Sequence, residues 1–408
     1  YAFFGCSSIE ELHFPSTLVE IGDSCFRDCR SVKFVTFDPN TELKCIPSKS
    51  FCGCFSLIEI VLPDSVEQIE DNAFNGCISL THIDLPFNVK RISRFSFAHC
   101  NKLEQIIIPP SVTSIDKAAF DSCLSLTEVF IPSEVKTIED FAFNGCTKLE
   151  KVKIEEEEES KLESIGNYSF RNCTSLKKVS LPASIAEIKE GTFMNCSSIR
   201  EFKFNLLRSP FLKINFKESV FNGCSSIVEI TIPFSCTAIK SHMFNGCRKL
   251  KTCKVPHSVE YIEDFAFNDC VSLVNIDFTA NIKQIGKKAF SNCKSLLLVS
   301  VPNTTEIIGE NAFEDCSSLE KVLFFRSSLQ KVCDYAFKNC KALYEINIPI
   351  NAEVGKSVFE GCDKINKTEL WLRQIEMGLR NAFHPWNRKF SILLELEIIY
   401  KLLIKKLY

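Results

Sequence analysis

The sequence is poor in the residues and runs that mark several common protein classes. Its 408 residues include only two tryptophans and three methionines, and no uncharged apolar run of about 18 residues, so no transmembrane helix is expected. The formal net charge of −3 argues against a global field that would attract nucleic acid or a membrane surface. Glycine-rich phosphate loops, nucleophile elbows and paired-histidine metal motifs are absent, which predicts a protein that is not an enzyme and needs no cofactor or metal.

Phenylalanine and cysteine, in contrast, are abundant and evenly spaced. The chain has 36 Phe and 22 Cys, and 16 of each form the pair Phe-x-x-Cys, from Phe3 and Cys6 to Phe359 and Cys362. Most pairs are 23 residues apart. A period of about 20–29 residues with fixed apolar positions indicates a leucine-rich-repeat solenoid. We therefore expect an α/β-type solenoid of about 16 coils, with a parallel β-sheet on the concave face and an irregular or short-helical outer arm.

The repeat positions predict which side chains are buried in each coil. The segment Leu-x-x-Ile-x-Leu at residues 80–85 indicates a short strand with alternate side chains pointing inward. Phenylalanine should fill one end of each coil, and cysteine should form a ladder of small buried groups rather than disulfides. The clearest ladder positions are Phe74, Cys77, Phe97, Cys100, Phe120, Cys123, Phe143, Cys146, Phe267, Cys270, Phe290 and Cys293.

Two coils are markedly longer than 23 residues. The interval from Cys146 to Cys173 is 27 residues, with Glu155–Glu159 inserted after the strand. The interval from Cys196 to Cys224 is 28 residues, with extra residues around 205–216. Insertions at a fixed position of a repeat usually become loops on one face, often the binding face.

The repeat pattern ends near the C-terminus of the chain. Residues 1–366 are predicted to form the solenoid, whereas residues 367–408 switch to helical spacing and are expected to form a helical cap or tail. The alternative is a helix at residues 390–407 that lies on a membrane surface, because the tail carries a net positive charge.

The side chains that point outward from the strands are the best candidates for a binding surface. Early coils place the apolar residues Val61, Ile107 and Phe130 there, where a solvated strand would carry polar ones. Middle coils place eight basic residues there against three glutamates, which predicts contact with an acidic protein face or a sulfated glycan. The alternative is that the lysines only keep the exposed strands of the sheet soluble. The basic candidates are Lys151, Lys153, Lys177, Lys178, Arg200, Lys203, Lys251 and Lys254, and the glutamates are Glu150, Glu201 and Glu229.

Several cysteines lie outside the ladder and allow more than one interpretation. Cys25 and Cys52 flank the phenylalanine positions of adjacent coils, so a disulfide between them is possible in an oxidising compartment. Unpaired thiols are the alternative, and the irregular spacing of the neighbouring cysteines makes a zinc site the weakest of the three interpretations.

The complete repeat resembles a known family. The unit Ile-x-Ile-Pro-x-Ser-Val-x-x-Ile-x-x-x-Ala-Phe-x-x-Cys-x-Ser-Leu, almost intact at residues 106–126, resembles the BspA-type leucine-rich repeat, and most of all the versions found in parasitic protists such as trichomonads. This resemblance implies a surface antigen, located at the cell surface or secreted, that adheres to host-cell or matrix proteins. The alternative is a cytoplasmic scaffold that uses the same face for a protein partner. Because the chain begins inside a repeat, we expect the sequence to be N-terminally incomplete, with no leader or anchor visible.

Overall fold

The computed structural model describes residues 1–155, 159–205, 213–278, 281–324, 328–349 and 351–365. These residues form successive coils of parallel β-structure, in which strands pair with their equivalents one coil away. The predicted tail at 367–408 lies outside the described residues. The strands, in chain order, are β1 (Glu11–Phe14), β2 (Phe34–Phe37), β3 (Cys45–Ile46), β4 (Glu59–Ile60), β5 (Gln68–Ile69), β6 (His82–Ile83), β7 (Arg91–Ile92), β8 (Gln105–Ile106), β9 (Ser114–Ile115), β10 (Glu128–Ile131), β11 (Thr137–Ile138), β12 (Lys151–Ile154), β13 (Ser164–Ile165), β14 (Lys178–Leu181), β15 (Glu187–Ile188), β16 (Glu201–Phe204), β17 (Asn215–Phe216), β18 (Glu229–Thr231), β19 (Ala238–Ile239), β20 (Thr252–Val255), β21 (Tyr261–Ile262), β22 (Asn275–Phe278), β23 (Gln284–Ile285), β24 (Leu298–Val301), β25 (Ile307–Ile308), β26 (Lys321–Phe324), β27 (Lys331–Val332), β28 (Glu345–Ile346) and β29 (Glu353–Val354).

The strands fall into two series on opposite sides of each coil. The first series, here called the first sheet, comprises β1, β2 and the even-numbered strands from β4 to β28. The odd-numbered strands from β3 to β29 form the second series, here called the second sheet. Strand pairing is interrupted between β6 and β8 and between β16 and β18 in the first sheet, and between β5 and β7 and between β17 and β19 in the second. In the described residues the first sheet has 15 strands and the second has 14. The solenoid therefore has about 14 complete turns rather than the 16 coils expected, because the terminal Phe-x-x-Cys pairs do not each close a turn.

The outer arm differs from the expectation of irregular or short-helical structure. The described residues contain no helix, and the outer arm forms the two-residue strands of the second sheet. The reason is spacing: stacked strands are about 4.8 Å apart, whereas a helix with its side chains is about 10 Å wide. A strand in each outer arm matches the strand spacing of the first sheet. Backbone hydrogen bonds can then join neighbouring coils on both sides.

The core consists of stacked phenylalanine rings surrounded by aliphatic residues. From Phe26 to Phe359 successive repeat rings lie parallel, with centroids 5.2 to 6.1 Å apart and interplanar angles of at most 17°. The rings of Phe74, Phe97 and Phe120 are completely buried, as are Cys77 and Cys100. The Phe-x-x-Cys pairs of the inner coils are thus buried, whereas Phe3 of the first pair is 46% exposed.

The ladder cysteines also make a specific contact that their spacing does not reveal. The thiol of Cys123 donates a hydrogen bond to the carbonyl oxygen of Phe97 in the preceding coil, with an Sγ–O distance of 3.2 Å. The same bond recurs from Cys29 at the start of the ladder to Cys362 at its end. Burial raises the pKa of Cys123 well above its ordinary value, so this thiol stays protonated and remains a donor.

Candidate binding face

The first sheet presents regular columns of outward side chains. In β10 the pattern alternates, with Val129 and Ile131 buried and Phe130 exposed. Parallel pairing aligns equivalent residues of neighbouring coils, so Phe130 lies opposite Lys153 of β12. Equivalent outward positions therefore form continuous columns along the solenoid, as the sequence periodicity predicts.

The three apolar candidates lie on this face, but not all together. Ile107, Phe130 and Val61 are 69%, 43% and 56% exposed, respectively. Ile107 directly follows β8, which pairs with β10, so it lies next to Phe130. Val61 is separated from this pair by the coil that carries Asp84, which is also exposed. The apolar anchor beside the basic coils is therefore the pair Ile107 and Phe130.

Half of the predicted basic residues are neutralised by glutamates of the same face. Lys177 pairs with Glu150 at 2.6 Å, and Lys178 pairs with Glu201 at 3.4 Å. Lys203 also pairs with Glu201, and Lys153 pairs with Glu128. A hydrogen bond from Lys153 lowers the pKa of Glu128, and one from Lys203 lowers that of Glu201. These pairs reduce the positive charge that the stripe offers to a ligand.

Four basic side chains keep their charge available. Lys151, Arg200, Lys251 and Lys254 are exposed, and none has a carboxylate partner within ion-pair distance in the part of the chain that the structure describes. Lys151 belongs to β12 and Lys254 to β20, whereas Arg200 and Lys251 directly precede β16 and β20. Three of the four therefore surround the junction between β16 and β18.

The first sheet is split at this junction. At the other coil interfaces the residue before each strand donates a backbone bond to its equivalent one coil earlier, as Arg200 does to Lys177 (3.0 Å) and Lys251 to Val228 (2.8 Å). Within the described residues this bond is missing where Val228 would donate to Arg200, and β16 and β18 are not paired. The coils remain joined on the phenylalanine side, where Asn195 N donates to Asn222 O at 2.7 Å.

Bulky aromatic residues account for the split. Phe202 and Phe204 occupy the inward positions that Val179 and Leu181 fill in β14. The ring of Phe202 stands edge-on to those of Phe193 and Phe221, with centroids 5.2 and 4.7 Å away. Phe193 and Phe221 consequently have the widest separation in the ring stack, 6.1 Å. The extra aromatic volume wedges the two coils apart on the sheet side.

The split opens a groove on the candidate face. Its cavity volume is about 390 Å³, and its walls carry Arg200 and Lys203 on one side and Lys254 on the other. Phe202 and Ile230 contribute apolar surface, and Glu201 and Glu229 contribute two carboxylates. Only one of these carboxylates, Glu201, forms ion pairs within the described residues.

Comparison with known families identifies the repeat. The family described as "BspA type leucine rich repeat region (6 copies)" matches in overlapping segments, at residues 1–127, 44–160, 157–273, 213–327 and 260–384. The chain belongs to the BspA-type leucine-rich-repeat family. A comparison with curated proteins finds no match.

A solved structure supports the fold of this BspA-type solenoid. A leucine-rich repeat protein from Bacteroides ovatus is 24% identical, with a TM-score of 0.63 over 91% of this chain and 83% of that one. A protein described as a leucine-rich cell surface protein, from Faecalibacterium prausnitzii, is also 24% identical, with a TM-score of 0.41 over 86% and 79% of the two chains. At this identity the first similarity establishes the solenoid fold and says nothing about the ligand.

A second apolar region of the BspA-type solenoid was not among the predicted site residues. Leu297, Leu298 and Tyr344 are 44%, 39% and 48% exposed on the first-sheet side of the late coils. Lys321 lies over the ring of Tyr344, with its Nζ 5.5 Å from the ring centroid. The same outward-position rule that selects Phe130 also selects Leu298, so applying it to the later coils would have found this region.

The two cysteine candidates outside the ladder, Cys25 and Cys52, do not occupy equivalent positions of their coils. The thiols of Cys25 and Cys52 are free and half-buried. Phe26 N bonds to Ser50 O and Asp28 N to Cys52 O, which aligns Cys25 with Ser50 and Cys52 with Arg27. Among the described residues no group of His, Cys, Asp and Glu could hold a metal ion. None of the described residues forms a helix long and apolar enough to cross a bilayer.

Proposed function

We propose that this protein is a non-enzymatic recognition protein of the cell surface, which binds a protein ligand through the outward face of the first sheet. The observation that carries the proposal is the group of unpaired cations Lys151, Arg200, Lys251 and Lys254 on that face. Unpaired exposed charges of one sign attract a ligand of the opposite sign and direct its approach. The apolar pair Ile107 and Phe130 supplies an anchor, and Phe130 lies in the strand next to that of Lys151.

The ligand that fits this surface is a host-cell or matrix protein with an acidic face. Repeat solenoids bind through extended surfaces made by neighbouring coils, and a family member described as a cell surface protein suits this role. A sulfated glycan offers the same charge without the apolar complement to Phe130. An intracellular scaffold would use the same face. The buried ladder thiols do not discriminate between the two locations, because they are protected in either redox environment.

Charge reversal tests the face directly. The triple variant K151E, K251E and K254E should weaken binding to immobilised matrix proteins, and to heparin as the glycan probe, by about 10-fold or more at low salt. Surface plasmon resonance at two salt concentrations would measure this, and the loss should shrink as salt rises.

A matched control separates the face from total charge. The triple variant K90E, K136E and K189E makes the same change in charge beside the second sheet, next to β7, β11 and β15. It should alter binding by less than about 2-fold. Equal losses in the two triple variants would show that net charge, and not the first sheet, determines binding.

A further inference from the structure

We propose that the groove between β16 and β18 is the anchoring site of the partner, and that it holds an acidic side chain of an extended peptide segment. This inference rests on the proposed function and locates the contact that contributes most to it. The stripe extends over several coils, and at this junction an interruption of strand pairing coincides with a groove lined by unpaired cations.

Charge favours a carboxylate in this groove. Arg200 and Lys254 line the groove from opposite sides, and neither is neutralised by a carboxylate within the described residues. Lys203 shares Glu201 with Lys178, so Glu201 is already occupied by two cations. Glu229 compensates one positive charge of the groove. Lys251, beside it in the neighbouring coil, adds one, so the charge around the groove stays positive. A guanidinium and an ammonium group facing one cavity can bind the two oxygens of a single carboxylate.

The groove has room for a ligand side chain, because its volume is about 390 Å³. Phe202 and Ile230 form an apolar floor that the methylene groups of a glutamate or a neighbouring aliphatic residue would cover.

The test compares two fluorescent peptides with two double variants of the full chain. The probe is an eight-residue peptide of alternating glutamate and valine, and its partner contains glutamine in place of glutamate. We expect the acidic peptide to bind at least about 10-fold more tightly than the neutral one in fluorescence anisotropy. The variant R200E/K254E should remove this preference, and R200Q/K254Q should reduce it by about 3-fold or more.

The control is K102E/K148E, which changes the charge equally at exposed lysines in turns of other coils. It should leave the affinity for the acidic peptide within about 2-fold, and circular dichroism of all variants would confirm that the coils are intact. If K151E/K251E weakens binding as much as R200E/K254E does, the whole stripe binds the ligand and the groove is not the anchor, although the proposed face survives. If heparin binds but the acidic peptide does not, or if neither binds, the peptide assignment is wrong.

Discussion

At the residue scale, the spacing of the Phe-x-x-Cys pair has a hydrogen-bonding basis. The carbonyl oxygen of Phe97 accepts two bonds, from the amide of Cys100 in its own turn and from the thiol of Cys123 in the next coil, each at 3.2 Å. The pair thus closes a turn and joins it to the following coil. Alanine would fit the space but would leave the inter-coil donor missing.

Replacing one ladder cysteine should therefore destabilise the solenoid measurably. The variant C123A removes the bond to Phe97 and leaves a small cavity beside a fully buried position. We expect the free energy of unfolding to fall by about 1–2 kcal/mol. Urea denaturation followed by circular dichroism, under reducing conditions, would measure it.

A cysteine outside the ladder provides the matched control. Cys333 is half-buried and follows β27 on the second sheet. C333A should change the free energy of unfolding by less than about 0.5 kcal/mol. If C123A lowered the free energy of unfolding as little as C333A, the thiol–carbonyl bond would contribute nothing to stability, and the ladder cysteines would stabilise the solenoid only by packing.

At the element scale, each turn after a phenylalanine requires a left-handed backbone. Gly76 has φ = +77°, and the equivalent residues Asn172 and Asn195 both have φ = +61°. Glycine and asparagine tolerate this region with the least strain, which explains the Asn-Gly-Cys and Asn-Cys sequences at this position.

Substitutions at Gly76 should follow this conformational preference. G76A should cost about 1 kcal/mol of unfolding free energy, because a Cβ atom is strained at positive φ. G76N should cost less than half as much, since asparagine occurs at the equivalent positions. The control is G22A, because Gly22 does not have a positive φ and nothing lies within 4 Å of an added Cβ. Thermal unfolding would rank the three variants, and equal costs for G76A and G76N would contradict the strain argument.

The strands of the first sheet could be predicted from the sequence, but the outer arm could not. Alternation at residues 80–85 gives both the strand and the direction of its side chains, because a one-residue shift would expose Ile83. On the outer arm Val89 and Ile92 are buried. Their spacing of three residues, however, suits a turn or a short helix equally well, and only the packing distance between coils decides in favour of strands.

The sequence indicates where the basic candidates lie but not how many of their charges are paired. The outward direction of these side chains depends only on the repeat period. The ion pair between Lys153 and Glu128 joins two neighbouring coils and depends on side-chain reach, which spacing does not specify. Likewise the 28-residue interval indicates an insertion, whereas the split beside it depends on how Phe202 packs between two rings.

At the scale of the whole molecule, the many buried thiols link stability to alkaline pH. Burial raises the pKa of Cys236 to about 12 and that of Cys123 well above the ordinary value of 9.0. In the unfolded chain the same thiols ionise near 9.0, so above this pH the unfolded state binds fewer protons than the folded state. The stability contribution is complete below pH 9 and is lost as the pH rises toward the folded-state pKa.

Raising the pH from about 8 to about 10.5 should therefore lower the free energy of unfolding, by up to about 1.4 kcal/mol per pH unit for each buried thiol. Denaturant titrations with reductant present, at several pH values and again after return to pH 8, would separate this reversible effect from oxidation. The loss of lysine ion pairs at high pH also lowers the free energy of unfolding. The variant C236A isolates the contribution of thiol ionisation, because it removes one buried thiol and no lysine. Its unfolding free energy should decline less steeply with pH than that of the parent chain. Parallel slopes would mean that Cys236 ionises as readily in the folded solenoid as in the unfolded chain.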